Sequence, residues 1–134
     1  MIEREFVAAD AQLYSVLGFV EEELEKLGCP MRVSMQISVA VEELFVNVAH
    51  YAYGGAPGPM TLSVQPETEG GVTLCFTDGG VPFDPLAKAD PDVTLSAEER
   101  KIGGLGIYMV KQTMDDVRYR YENSRNILTI RKKF

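Results

Sequence analysis

The stretch Val39 to Tyr53, VAVEELFVNVAHYAY, constrains the fold of this chain more than any other. Ile37, Val41, Leu44, Val48 and Tyr51 recur at steps of three and four, the spacing that lines one face of an α-helix. At about 100° per residue, Gln36, Glu43, Asn47 and His50 share a second stripe, roughly 110° from the centre of the apolar face. A carboxylate, an amide and an imidazole therefore stack on successive turns beside the buried face. A solvated helix face more often carries Lys with Glu at this spacing. The stripe reads either as scattered surface polarity or as a site built against the core.

The remaining elements follow from periodicity. Glu3 to Ala8 alternates and predicts an edge strand, and Asp10 can cap the helix that follows. Leu13, Val16, Leu17, Val20, Leu24 and Leu27 keep helical spacing until Gly28 and Pro30 end it. Glu21, Glu22, Glu23 and Glu25 lie outside that helix, as a solvated face or part of a protein-binding surface. The second helix is predicted over Arg32 to Tyr53, broken by the Gly/Pro run 54–59. Met60 to Gln65 and Val72 to Thr77 read as an antiparallel hairpin that delivers Asp78 at its end. Pro82 to Ile102 has little pattern and reads as a lid. Ile107 to Met114 is a short helix. Asp116 to Glu122 and Asn126 to Lys132 close the chain as a hairpin around Asn123-Ser124-Arg125, with Val117, Tyr119 and Tyr121 inward against Leu128 and Ile130. Helices, hairpin, helix, hairpin is an α+β order, and 134 residues make one domain over 1–134 with a core of its own.

Charge and composition exclude several functions. Hydrophobic content of 46% and charged content of 25% are ordinary for a globular domain. A net charge of −7 argues against binding nucleic-acid phosphates or an anionic membrane surface. Cys29 and Cys75 lie far apart beside a single histidine, so zinc is not expected; both cysteines are expected as small buried hydrophobes. No apolar run reaches membrane-spanning length, and Met1-Ile2-Glu3-Arg4-Glu5 does not read as a signal peptide. The expectation is a cytoplasmic protein.

Two glycine-containing stretches carry chemistry. Asp78-Gly79-Gly80 at a strand end is either a tight turn or a carboxylate held beside a backbone that a ligand can approach closely. Gly103-Gly104-Leu105-Gly106 leads into a helix. Free N–H groups and the positive end of the helix dipole make that junction a phosphate site; a glycine hinge without ligand is the other reading. Neither a Walker A sequence nor the strand–G-x-G-x-x-G unit of a dinucleotide fold is present.

An E-x-x-x-N helix (Glu43 to Asn47), then D-x-G-x-P-F-D-P (Asp78 to Pro85), then G-G-L-G (Gly103 to Gly106), in that order, resembles the GHKL or Bergerat-type ATP-binding superfamily. Within it the chain looks most like the bacterial anti-sigma factor serine/threonine kinases. The resemblance implies a two-layer sandwich, a mixed and mainly antiparallel sheet with helices on one face. It implies ATP and magnesium as cofactors. Asp78 would accept a hydrogen bond from the adenine amino group, Gly80 would admit the purine, and Thr129 would assist through water. Asn47 would hold magnesium with the phosphates, and Glu43, one turn earlier, would be the general base. Glu42 turns away by about 100°. Gly104, Leu105 and Gly106 would bind phosphate, and Arg100 and Lys101 are either lid contacts to the γ-phosphate or plain surface charges.

The implied function is a kinase that phosphorylates a small anti-sigma antagonist protein and binds a sigma factor or similar regulatory protein. The alternative is an ATP-gated binding module of the same fold without chemistry. The resemblance admits a homodimer, and no stretch of sequence marks its interface. The chain departs from the family pattern at Tyr51, where many relatives carry histidine; here His50 stands one residue early. It also lacks the glycine often found in the last hairpin.

Overall fold

A computed structural model describes residues 1–87 and 105–134, with Leu105 described in its backbone only. Five strands form one sheet in the order β1-β2-β3-β5-β4. They are β1 (Ile2–Val7), β2 (Pro59–Pro66), β3 (Val72–Asp78), β4 (Asp116–Glu122) and β5 (Arg125–Lys132). Every pairing among them is antiparallel. The expected two-layer α+β architecture is borne out, and the parallel component that a mixed sheet allows does not occur among the described strands. The segment from Glu3 is the edge strand foreseen.

Three helices cover one sheet face: α1 (Leu13–Lys26), α2 (Met31–Asn47) and α3 (Leu105–Thr113). Alternation explains the sheet. Val72, Leu74, Phe76 and Asp78 on β3 are buried while Thr73, Cys75 and Thr77 between them are half-exposed. Phe45, Phe76, Leu44, Leu62 and Ile130 are among the side chains that fill the core, each worth roughly 1.5–3 kcal/mol of apolar transfer. The helix α1 ends in a Schellman motif: Cys29 N–H donates to Leu24 O at 3.1 Å and Gly28 N–H to Glu25 O at 3.0 Å. The last hairpin turns on Asn123 and Ser124, both left-handed (φ 53° and 61°), the two-residue type I′ geometry.

Four expectations need correction. Asp10 does not cap α1; it opens a 3₁₀ turn, Asp10–Gln12, and its carboxylate pairs with His50. The second helix is α-helical only to Asn47, and Val48–Ala52 is a π-helical turn. That turn rotates everything after it, because its hydrogen bonds run i→i+5. Ala49 is buried, and Tyr51, expected in the core, is 49% exposed. Tyr121 is also exposed, near the end of β4, an edge strand of the sheet. Finally, Cys29 and Cys75 are free and only partly buried; Cys75 sits on the sheet face away from the described helices.

Candidate functional site

The end of β3 and the end of α2 enclose one small cavity. Leu44, Val48, Phe76 and Leu128 are among its apolar lining residues, and Asn47, Asp78, Tyr119 and Asn126 are its polar ones. Two of the residues singled out from sequence, 31 positions apart, thus line a single space.

Asp78 is 4% exposed. One carboxylate oxygen, Oδ1, accepts from Gly80 N–H at 2.9 Å and from the Asn126 amide at 2.9 Å. Among the described residues its other oxygen has no hydrogen-bond partner, and Asp78 lines the cavity. Gly80 is required by close approach: a Cβ there would overlap the Ala52 carbonyl, which itself accepts from Val81 N–H at 2.8 Å. The π turn that carries Ala52 is therefore the seat for the loop after Asp78. Tyr53 adds a second tie, donating to Pro59 O at 2.5 Å and accepting from Gly79 N–H at 3.0 Å.

Asn126 was not foreseen, and it organises this end of the site. It is 5% exposed and pairs across the sheet with Asp78. Its amide nitrogen donates to Asp78 Oδ1 and to Val81 O; its oxygen accepts from Phe83 N–H at 3.1 Å and from the Tyr119 hydroxyl at 2.5 Å. All four hydrogen-bonding positions of the amide are used. Burial pushes the Tyr119 phenol above its ordinary value. Asn126→Ala is expected to cost about 2–4 kcal/mol of stability in a thermal or denaturant melt, since several buried groups lose their partner at once. A melt within about 0.5 kcal/mol of wild type would show that water replaces the amide.

The cavity measures about 20 Å³, room for one water and not for a purine. Phe83 closes it, stacking on Tyr51 with ring centroids 4.8 Å apart and 23° between planes. The segment 81–87 has to yield for a larger ligand to enter.

Asn47 donates to the Glu43 carbonyl at 2.8 Å and to Glu43 Oε1 at 3.2 Å. Its own oxygen is without a partner among the described residues, and an amide oxygen is a hard donor suited to magnesium. The Glu43 carboxylate lies against Gly106 in the first turn of α3, so closely that a Cβ on Gly106 would overlap it. Gly106→Ala is expected to push the carboxylate aside and slow any reaction it serves by at least about tenfold. Glu43→Asp, one methylene shorter, is expected to regain part of that loss in the Gly106→Ala background. If the double variant is slower than Gly106→Ala alone, the contact is not what limits the site.

Glu43, Asn47 and Gly106 are thus brought together, Asn47 and Asp78 line one cavity, and Glu42, which turns away from the stripe, is exposed. Thr129 is not brought there. It pairs with Cys75 on the opposite sheet face, its hydroxyl 3.8 Å from the Cys75 sulfur. His50 also leaves the stripe, its Nε2 2.9 Å from Asp10 Oδ1. Of Leu105 only its place at the start of α3 is described. Gly103, Gly104, Arg100, Lys101 and the part of the lid beyond residue 87 lie outside the described residues.

The model of the histidine kinase-like ATPase domain matches residues 6–132. Serine/threonine-protein kinase BtrW of Bordetella bronchiseptica is 24% identical over 100 residues, 74% of this chain and 70% of that protein. Serine-protein kinase RsbW of Bacillus cereus is 25% identical over 116 residues, 84% of this chain and 66% of its own length. RsbW of Listeria monocytogenes is 28% identical over 97 residues, 69% of this chain and 61% of its own. The matched stretch therefore spans about two thirds of these relatives. Two solved structures share the fold. The RsbU and RsbW domains of Rv1364c from Mycobacterium tuberculosis superpose with a TM-score of 0.67 at 14% identity, over 99% of this chain and 32% of that one. The SiaB–SiaC complex from Pseudomonas aeruginosa gives 0.64 at 12% identity, over 100% and 90%.

Proposed function

The chain belongs to the histidine kinase-like ATPase domain family, and from that premise we propose that it is an ATP-dependent serine/threonine protein kinase of the anti-sigma type. One observation carries the reading: the Glu43 carboxylate is held between the Asn47 amide and the first turn of α3. A carboxylate, a hard oxygen donor and a helix N-terminus thus converge, and Asn47 lines the same cavity as the buried Asp78.

Each residue then has a task. Asp78 accepts from the adenine amino group through its open oxygen, and Gly80 lets the backbone come close to the purine. The N-terminus of α3 meets the phosphates with free N–H groups, with Gly104, Leu105 and Gly106 in that role. Asn47 would hold magnesium through its oxygen; the ion, when bound, offsets phosphate charge. Glu43 takes the proton from the acceptor hydroxyl as its oxygen attacks the γ-phosphorus, and ADP leaves. Arg100 and Lys101 would reach the γ-phosphate from the lid. The substrate is a small antagonist protein, and a sigma factor or similar regulatory protein is the second partner. That three relatives are named protein kinases supports the reading.

Calorimetry with ATP and magnesium tests the nucleotide site on which this reading depends. One-to-one binding is expected, with GTP weaker by at least about 100-fold because its O6 cannot donate to Asp78. Equal affinity for GTP, or no heat with either nucleotide, would overturn the assignment.

A further inference from the structure

The helix α2 shows solvent three apolar side chains at i, i+4 and i+8: Met31 (76% exposed), Met35 (62%) and Val39 (58%). They form a ridge about 12 Å long, opposite the buried face of the same helix. A solvated helix face is ordinarily polar or charged, so this ridge is unusual. A groove runs along each side of it, and both grooves share Met35 and Val39. The one towards α1 has a volume of about 590 Å³ and carries Glu21, Glu25 and Ser34 on its walls. The one towards α3 measures about 210 Å³ and adds Gln36, Ala40 and Met109, itself 47% exposed. Exposed contiguous apolar surface with a polar rim marks an interaction site, and methionine suits a surface that adapts to its partner.

Position and charge identify the occupant. The α2–α3 groove ends beside the chemistry: Ala40 precedes Glu43 by three residues on α2, and Val110 follows Gly106 by four on α3. One helical turn, about 5.4 Å, separates the groove from the base. A protein lying there brings its own side chain to Glu43. Among the described residues the groove walls hold two carboxylates, Glu21 and Glu25, and no lysine or arginine. Glu42 stands exposed beyond Val39, while Arg32, the only cation on α2, lines neither groove.

We propose that this face docks the hydroxyl-bearing protein substrate through an amphipathic helix. Apolar side chains of that helix seat on Met31, Met35, Val39 and Met109, and flanking Lys or Arg residues meet Glu21 and Glu25. The inference deepens the kinase reading and rests on it for the identity of the occupant.

The test needs no nucleotide, so its failure is separate from failure of the kinase assignment. The probes are a synthetic amphipathic helix of Leu and Lys, and its twin with Glu in place of each Lys. Methyl-labelled methionine in the full chain reports binding by NMR. Met31, Met35 and Met109 read the face, and buried Met60 and Met114 are internal controls. The Lys peptide is expected to shift the three face methyls on one saturation curve, with at least about tenfold weaker binding in Met35→Lys and at raised salt. Circular dichroism checks that the variant is folded. No shift, equal binding of the Glu twin, or shifts at Met60 and Met114 instead would overturn the proposal. So would face-methyl shifts on diluting the protein alone, which would mean that a second copy covers the ridge.

Discussion

Asp78→Asn is expected to remove ATP binding and leave the fold intact. The carboxylate is held from one side only: Gly80 N–H and the Asn126 amide both donate to Oδ1. An asparagine keeps an oxygen at that position, because those two donors select it over the nitrogen. The NH₂ then takes the place of the open oxygen and meets the adenine amino group donor to donor. A buried polar mismatch of that kind is expected to weaken ATP by at least about 100-fold, or roughly 2.7 kcal/mol. The same geometry predicts a reversal for ITP, whose O6 accepts from the new amide and which the variant binds more tightly than wild type does. Calorimetry of both nucleotides, beside a melt, reads the result. ATP bound at wild-type affinity by a folded variant would place adenine recognition elsewhere.

Glu43→Gln is expected to uncouple binding from chemistry. The glutamine is isosteric, so it fits against Gly106 and can still accept from Asn47. It cannot take a proton. Phosphoryl transfer in a single turnover is expected to fall by about 10²–10⁴-fold, the usual contribution of a positioned base. Nucleotide affinity should hold or rise, since a negative charge beside the phosphates is gone. A variant that transfers at the wild-type rate would leave positioning and charge as the whole mechanism and Glu43 as a spectator.

Much of this was readable because the responsible physics is local. The strands came from period-two alternation, and the hairpins from the polar stretch Pro66 to Gly71 and from Asn123-Ser124-Arg125 between alternating runs. Glu43 and Asn47 are one α-helical turn apart, so their meeting follows from helix geometry alone. The sequence pattern lost its hold at Val48. A single π turn is a tertiary accommodation to the loop at Val81 and is not encoded in periodicity. His50 and Tyr51 were misplaced for that reason. Thr129 is different, because the alternation that sends Leu128 and Ile130 inward already sends Thr129 outward and Asn126 inward. Resemblance to a strand threonine overrode a parity argument, and the register bears the parity argument out. The Asn126 network needed the cross-strand pairing to Asp78, 48 residues away, which only the folded sheet supplies.

Transfer of label from γ-labelled ATP, with magnesium, in an extract of the source organism tests the kinase assignment most directly. Glu43→Gln protein serves as the control. Label on one small protein, on serine or threonine, with wild type and not with Glu43→Gln, is the predicted result. ATP that binds to the wild type yet passes its phosphate to no protein would contradict the kinase and leave a nucleotide-gated binding module.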